Sequence, residues 1–144
     1  MNKRKGFIVI FFVVVVVVWS VNLYHSHNSF KNLVLDEINA SEITSIDILK
    51  SSNNENVVVK DKREIGKIID GFADMKLRRS SADGNYKESY WISIYVSNGL
   101  KFGMRLTDDK IISITNLHKK NKYSSGNFKI TSVFDVSSIA GLFK

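Results

Sequence analysis

The side chains best suited to chemistry in this 144-residue chain are three histidines, a few carboxylates and two groups of cations. His25 and His27 stand two residues apart, so on an extended chain both rings would point the same way and could grip a metal. Two imidazoles with no third ligand in view make a weak site, and a solvated linker is the competing reading. His118 sits beside Lys119 and Lys120 and has no neighbouring carboxylate to orient it as a general base. Asp108 and Asp109 are adjacent; on a strand their side chains would diverge, which suits a turn between apolar segments better than a catalytic pair. Asp61 and Glu64 have the D-x-x-E spacing of a helix cap. The absence of cysteine excludes thiol catalysis, disulfides, thiolate metal sites and a lipidated cysteine. No nucleophile elbow, H-E-x-x-H pair, phosphate loop or G-x-G-x-x-G turn is present. The chain therefore reads as non-enzymatic, with no cofactor and no metal.

Binding residues are easier to nominate than catalytic ones. Trp91 and Tyr95 alternate with Tyr90, Ile92 and Ile94, which puts the two rings on the opposite side of a strand from the aliphatic positions. They either pack beneath a second layer or form an exposed strip that recognises a partner. Cations gather at Lys76, Arg78 and Arg79 and again at Lys119, Lys120 and Lys122. They read as solvated edges that discourage sheet-to-sheet pairing, or as groups facing anionic headgroups or wall polymers. The candidate partner-binding set is thus Trp91, Tyr95, Lys119, Lys120 and Lys122. Nucleic acid is not an expected partner, because the topology inferred below places the domain outside the cell.

The elements that must position these residues follow from periodicity. Ile43, Ile46, Ile48 and Leu49 read as a strand, 51–56 as a turn and Val57 to Val59 as a hairpin partner. Ile65, Ile68, Ile69 and Phe72 recur every three or four residues, predicting a helix over 62–73 with one apolar stripe. Met75 and Leu77 alternate with cations, and a polar loop over 80–87 contains Asp83-Gly84. Then 90–96 and 100–106 alternate around Asn98-Gly99, the strongest short hairpin signal in the chain. Asp108-Asp109 leads into a strand over 111–115, a basic polar loop runs from 116 to 127, and Phe128 and Ile130 mark a last strand. Asp135 or Ser132 would cap a short C-terminal helix. The fold class is α+β: an antiparallel sheet in the order β-β-α-β-β-β-β, one face covered by the 62–73 helix.

Ahead of this domain lies a different kind of sequence. After Lys3, Arg4 and Lys5, residues 7–19 contain no polar side chain, and no charge follows until Lys31. As a helix, residues 7–24 would reach about 27 Å, close to the hydrocarbon thickness of a bilayer. Six consecutive valines disfavour a helix in water, but a single segment in lipid can bond its amides only as a helix. The three cations set the amino end in the cytoplasm, with Trp19 and Tyr24 near the far interface. The expected organisation is a cytoplasmic tip and membrane helix over 1–24, a juxtamembrane stalk over 25–40 and an extracytoplasmic domain over 41–144. Secretion after cleavage near Val18-Trp19-Ser20 is the alternative. Without Lys3, Arg4 and Lys5 the net charge drops from +7 to +4, with eighteen basic and fourteen acidic residues from 25 onward.

A basic start, one apolar helix, a hairpin, the D-x-x-E-I-x-x-I-I helix from Asp61 to Ile69 and the Asn98-Gly99 hairpin together resemble small extracytoplasmic membrane-anchored domains of low-GC Gram-positive bacteria. That resemblance implies a surface binding role, of which bacteriocin immunity is one version. Two other roles remain open: an accessory subunit of a membrane transporter or signalling complex, and an unrecognised envelope enzyme.

Overall fold

The computed structural model describes residues 3–81, 86–97, 99–108, 110–119 and 125–143, with the backbone alone described for 3–7 and 22–27. Helix α1 (Lys3–Ser26) runs directly into a short strand β1 (His27–Ser29). A one-turn helix α2 (Phe30–Leu33) and 3-10 turns at Leu35–Glu37 and Ala40–Glu42 follow. The remaining elements are β2 (Ile43–Lys50), β3 (Glu55–Val59), α3 (Lys62–Ala73), β4 (Lys76–Arg79), β5 (Ser89–Val96), β6 (Gly99–Thr107), β7 (Ile111–Asn116), β8 (Ser125–Ile130) and α4 (Ser137–Ala140). All eight strands form one antiparallel sheet in the order β1-β4-β8-β7-β6-β5-β2-β3. Compared with the expected order β-β-α-β-β-β-β, five strands rather than four follow α3, and β1 is added ahead of the first hairpin. Helix α3 carries the chain from β3 at one edge to β4 near the other.

Alternation sorts the sheet into two unlike faces. Ile46, Ile48, Tyr90, Ile92, Ile94, Phe102, Met104, Leu106, Ile112, Ile114, Phe128 and Ile130 turn to one side and are buried there. Against them pack Ile65, Ile68, Ile69 and Phe72, the stripe of α3, together with Phe134, Val136 and Ile139 from the C-terminal segment. Asp61 opens α3 by accepting hydrogen bonds from the N–H groups of Arg63 and Glu64. Only half of the capping box forms, because the Glu64 carboxylate takes the Lys67 ammonium instead of reaching back.

Residues 27–40, expected as a stalk, belong to the domain. Phe30, Val34 and Ile38 are buried in the common core. The Phe30 ring stacks on Phe72 at 5.0 Å between centroids, and Phe72 stacks in turn on Phe134 at 5.4 Å. The Phe30 N–H donates to the Met75 carbonyl at 3.0 Å, where β4 begins. The polar run from His25 to Ser29 gives no alternation to betray a strand. Backbone pairing to β4 holds it, with His27 opposite Arg78 and Ser29 opposite Lys76.

The central hairpin also differs in detail. Val96 pairs with Gly99, so glycine opens β6 instead of completing the turn. The positive φ of 56° and 48° that such turns demand falls on Asn54 in the β2–β3 turn and on Ser97 here. Lys110 takes φ 65° between β6 and β7, where the Thr107 hydroxyl bonds both ends of Ile111. The expected Asp83-Gly84, Asn98 and Asp109 positions lie outside the described residues.

Residues 7–24 fall within one continuous helix, and every side chain from Ile8 to Val21 is exposed. Among the described residues no helix is long and apolar enough to cross a membrane.

Candidate functional site

Among the described residues no helix packs on the second face of the sheet, although Ser89, Thr107 and Ile111 are buried at one end of it, and its register lays the side chains out in rows across the strands. One row reads Asn56, Leu49, Trp91, Arg105, Ser113, Asn127; the next reads Val58, Asp47, Ser93, Gly103, Thr115, Ser125. The first row is tall at its centre and the second is low. A groove results, lined by Trp91, Ser93, Gly103, Arg105, Ser113, Thr115 and Asn127, with a volume of ≈ 280 Å³. That is just under the about 300–1,000 Å³ usual for enclosed small-molecule sites.

The wall of the groove is an aromatic and cationic stack. The Arg105 guanidinium lies 5.6 Å from the Trp91 ring centroid and 5.0 Å from that of Tyr86, and its Nη1 donates to the Tyr86 hydroxyl at 3.2 Å. A guanidinium held between two ring faces loses little freedom on binding, and the stack presents a rigid apolar edge. Trp91 is 50% exposed and so does not lie beneath a second layer, whereas Tyr95 is half-buried. Tryptophan, tyrosine and arginine are the residue types that most often carry binding energy at interfaces. The floor has hydrogen-bonding capacity as well: the Ser113 hydroxyl bonds Asn127 Oδ1 at 2.7 Å. One oxygen of Asp47, opposite Ser93, is buried without a donor among the described residues.

Gly103 is the telling residue. Its φ is not in the left-handed region, and a Cβ placed on it would meet nothing within 4 Å among the described residues. Neither backbone nor packing therefore requires glycine in the middle of β6, where it weakens a strand by about 0.5–1 kcal/mol. What its missing side chain does is keep the groove floor low.

The nominated residues do not converge. Tyr95 lines a separate hollow with Thr44, Ser45 and Lys60. Lys119 forms an ion pair with Glu37 in the turn that follows α2, away from Trp91. Lys120 and Lys122 lie outside the described residues. The His118 ring contacts the Leu100 carbonyl at 3.2 Å and has no carboxylate beside it among the described residues. No group of three or more metal-ligating side chains occurs among the described residues. Arg105, Tyr86, Gly103, Thr115 and Asn127 escaped the sequence reading. The available signal was a glycine at an outward strand position between two long cations, Lys101 and Arg105.

One perturbed group lies at the end of the sheet. Burial pushes the Glu88 carboxyl up, but hydrogen bonds from Ser52, Ser51 and the Ser89 N–H outweigh it and hold the group below its ordinary value. Its role is to tie the β2–β3 turn to the start of β5.

No family model, curated protein or solved structure matches this chain.

Proposed function

We propose that this is a single-pass, membrane-anchored, non-enzymatic binding protein whose extracytoplasmic domain receives a protein or peptide partner on its open sheet face. Residues 7–24 cross the bilayer with the amino end in the cytoplasm, and the Trp91–Arg105–Tyr86 stack and the adjoining groove form the docking surface. Gly103 carries the reading: a strand glycine with open space above it is kept at a cost to the fold, and a surface that must admit another molecule accounts for that cost. Protection of a producing cell against its own bacteriocin is one version. The domain's +4 charge gives no long-range attraction to a cationic peptide, so in that version the short-range stack does the work.

A second reading, an accessory subunit of a membrane transporter or signalling complex, is favoured by α1 itself. The exposure of every side chain from Ile8 to Val21 leaves all sides of the helix free to meet other membrane helices.

The test is site-specific photocrosslinking of the full-length protein in its native membrane, with the reactive group at Thr115 in the groove or at Asp70 on α3. Discrete adducts from Thr115 and none from Asp70 are expected. Adducts from Asp70 alone would place the interface on the helical side and overturn the assignment.

A further inference from the structure

We propose that the cations at the β1 edge of the open face, Lys76, Arg78 and Lys129, form a binding site for anionic phospholipid headgroups. The inference rests on the membrane-anchor reading above. Leu77 and Ile130 point into the core as opposed residues of β4 and β8, so their neighbours Lys76, Arg78 and Lys129 point the other way. Arg78 and Lys129 are directly opposed across the strands, and both are exposed. Like charges in that relation destabilise a sheet. Among the described residues none of the three cations has an acidic partner, and no carboxylate there relieves the repulsion. An anion outside it would.

Chain connectivity says which anion. Helix α1 ends at Ser26, β1 begins at His27, and His27 is opposite Arg78. If Tyr24 marks the end of the hydrocarbon crossing, His27 lies at most about 5 Å beyond it along a helix. Opposed residues of an antiparallel pair are about 5 Å apart, and the next strand adds about 5 Å more. The Arg78 backbone is then within about 10 Å of the hydrocarbon boundary and that of Lys129 within about 15 Å, whatever angle the helix makes with the sheet. The headgroup layer itself is about 5–8 Å deep on each side, within reach of long basic side chains. Beside the same strand, the Thr131 N–H bonds the Lys76 carbonyl, and two residues later Val133 is wholly exposed. An apolar side chain among unpaired cations is the composition of surfaces that settle at a lipid interface.

The full-length chain is reconstituted into nanodiscs of phosphatidylcholine alone or of equal parts phosphatidylcholine and phosphatidylglycerol. Lysine acylation by a water-soluble reagent is followed residue by residue by mass spectrometry. Attraction of one cation to an anionic leaflet corresponds to about fivefold in occupancy. Lys76 and Lys129 should therefore be acylated about fivefold more slowly in the anionic discs, with the difference removed by high salt. Lys60, just past the far edge strand β3, should react alike in both. Equal rates for Lys76 and Lys129 in discs that retain the protein would overturn the headgroup site and leave the anchor standing. Equal protection by inorganic phosphate added to phosphatidylcholine discs would also overturn it, in favour of a soluble anion. Failure of the protein to enter either disc would remove the anchor reading and this inference together.

Discussion

Replacing Phe30 by alanine measures whether the segment after α1 is part of the domain or only leads to it. The ring is fully buried and stacked on Phe72. A phenylalanine in that setting removes roughly 150–200 Å² of apolar surface from water, about 4–5 kcal/mol at 25 cal/mol per Å². Alanine retains a small part of that and leaves a cavity, so the net loss should be about 3–4 kcal/mol, within the range measured for such truncations. For a domain of this size that is about a third or more of the total stability and about 12–16 °C in Tm. The assay is urea unfolding of the full-length chain in detergent, with a Trp19→Phe background so that Trp91 alone reports. Phe30→Leu should lose less than half as much. A loss below about 1 kcal/mol with an unchanged denaturant slope would show that residues 27–38 do not share the core, and would return them to the status of a stalk.

Gly103→Thr should raise stability by about 0.5–1 kcal/mol, since a β-branched residue replaces glycine in open space, while abolishing the Thr115 photoadduct; a destabilised variant that keeps the adduct would refute the role given to the glycine. Asp61→Ala should cost about 1 kcal/mol by leaving the Arg63 and Glu64 N–H groups without their acceptor, and Asp61→Asn should recover most of it in the same unfolding assay. Glu88 has a folded pKa below its ordinary value of 4.5, so its contribution is complete above that pH and is lost as pH falls through the lowered value. Glu88→Gln should therefore unfold with a flatter acid limb than the parent, and identical limbs from pH 5 downward would contradict the sign.

Much of the fold could be read because its period is clean. The stripe Ile65, Ile68, Ile69, Phe72 gives α3 its bounds, and the alternation from Tyr90 to Leu106 gives the central hairpin and correctly turns Trp91 away from the core. The elements that escaped are those whose order comes from partners distant in sequence. Strand β1 is polar and three residues long, and exists because β4 offers it a backbone edge. Phe30, Val34 and Ile38 recur every four residues, a helical interval that the chain splits between a one-turn helix and a 3-10 turn. Strand β8 begins at Ser125, with Gly126 and Asn127 hydrogen-bonded to β7 before any apolar residue appears. At the candidate site, alternation predicts the direction of Trp91 but not its company. Tyr86 reaches Arg105 from a loop 19 residues earlier, and a contact made by a loop leaves no periodic trace.

The strand order has a consequence for the timing of folding. Strands β5 to β8 form a meander of neighbours and can assemble as each is made, but β1 joins the sheet only through β4, and β4 only through β8. Pairing across such separations is slow, because the intervening chain must be ordered first. Until residues 125–130 emerge, the strand attached to α1 has no sheet edge to join, and Phe30 lacks the finished β4 end against which it packs. The part of the domain synthesised earliest is consequently the last to be locked, and a chain stopped before β8 would hold its anchor-side edge open.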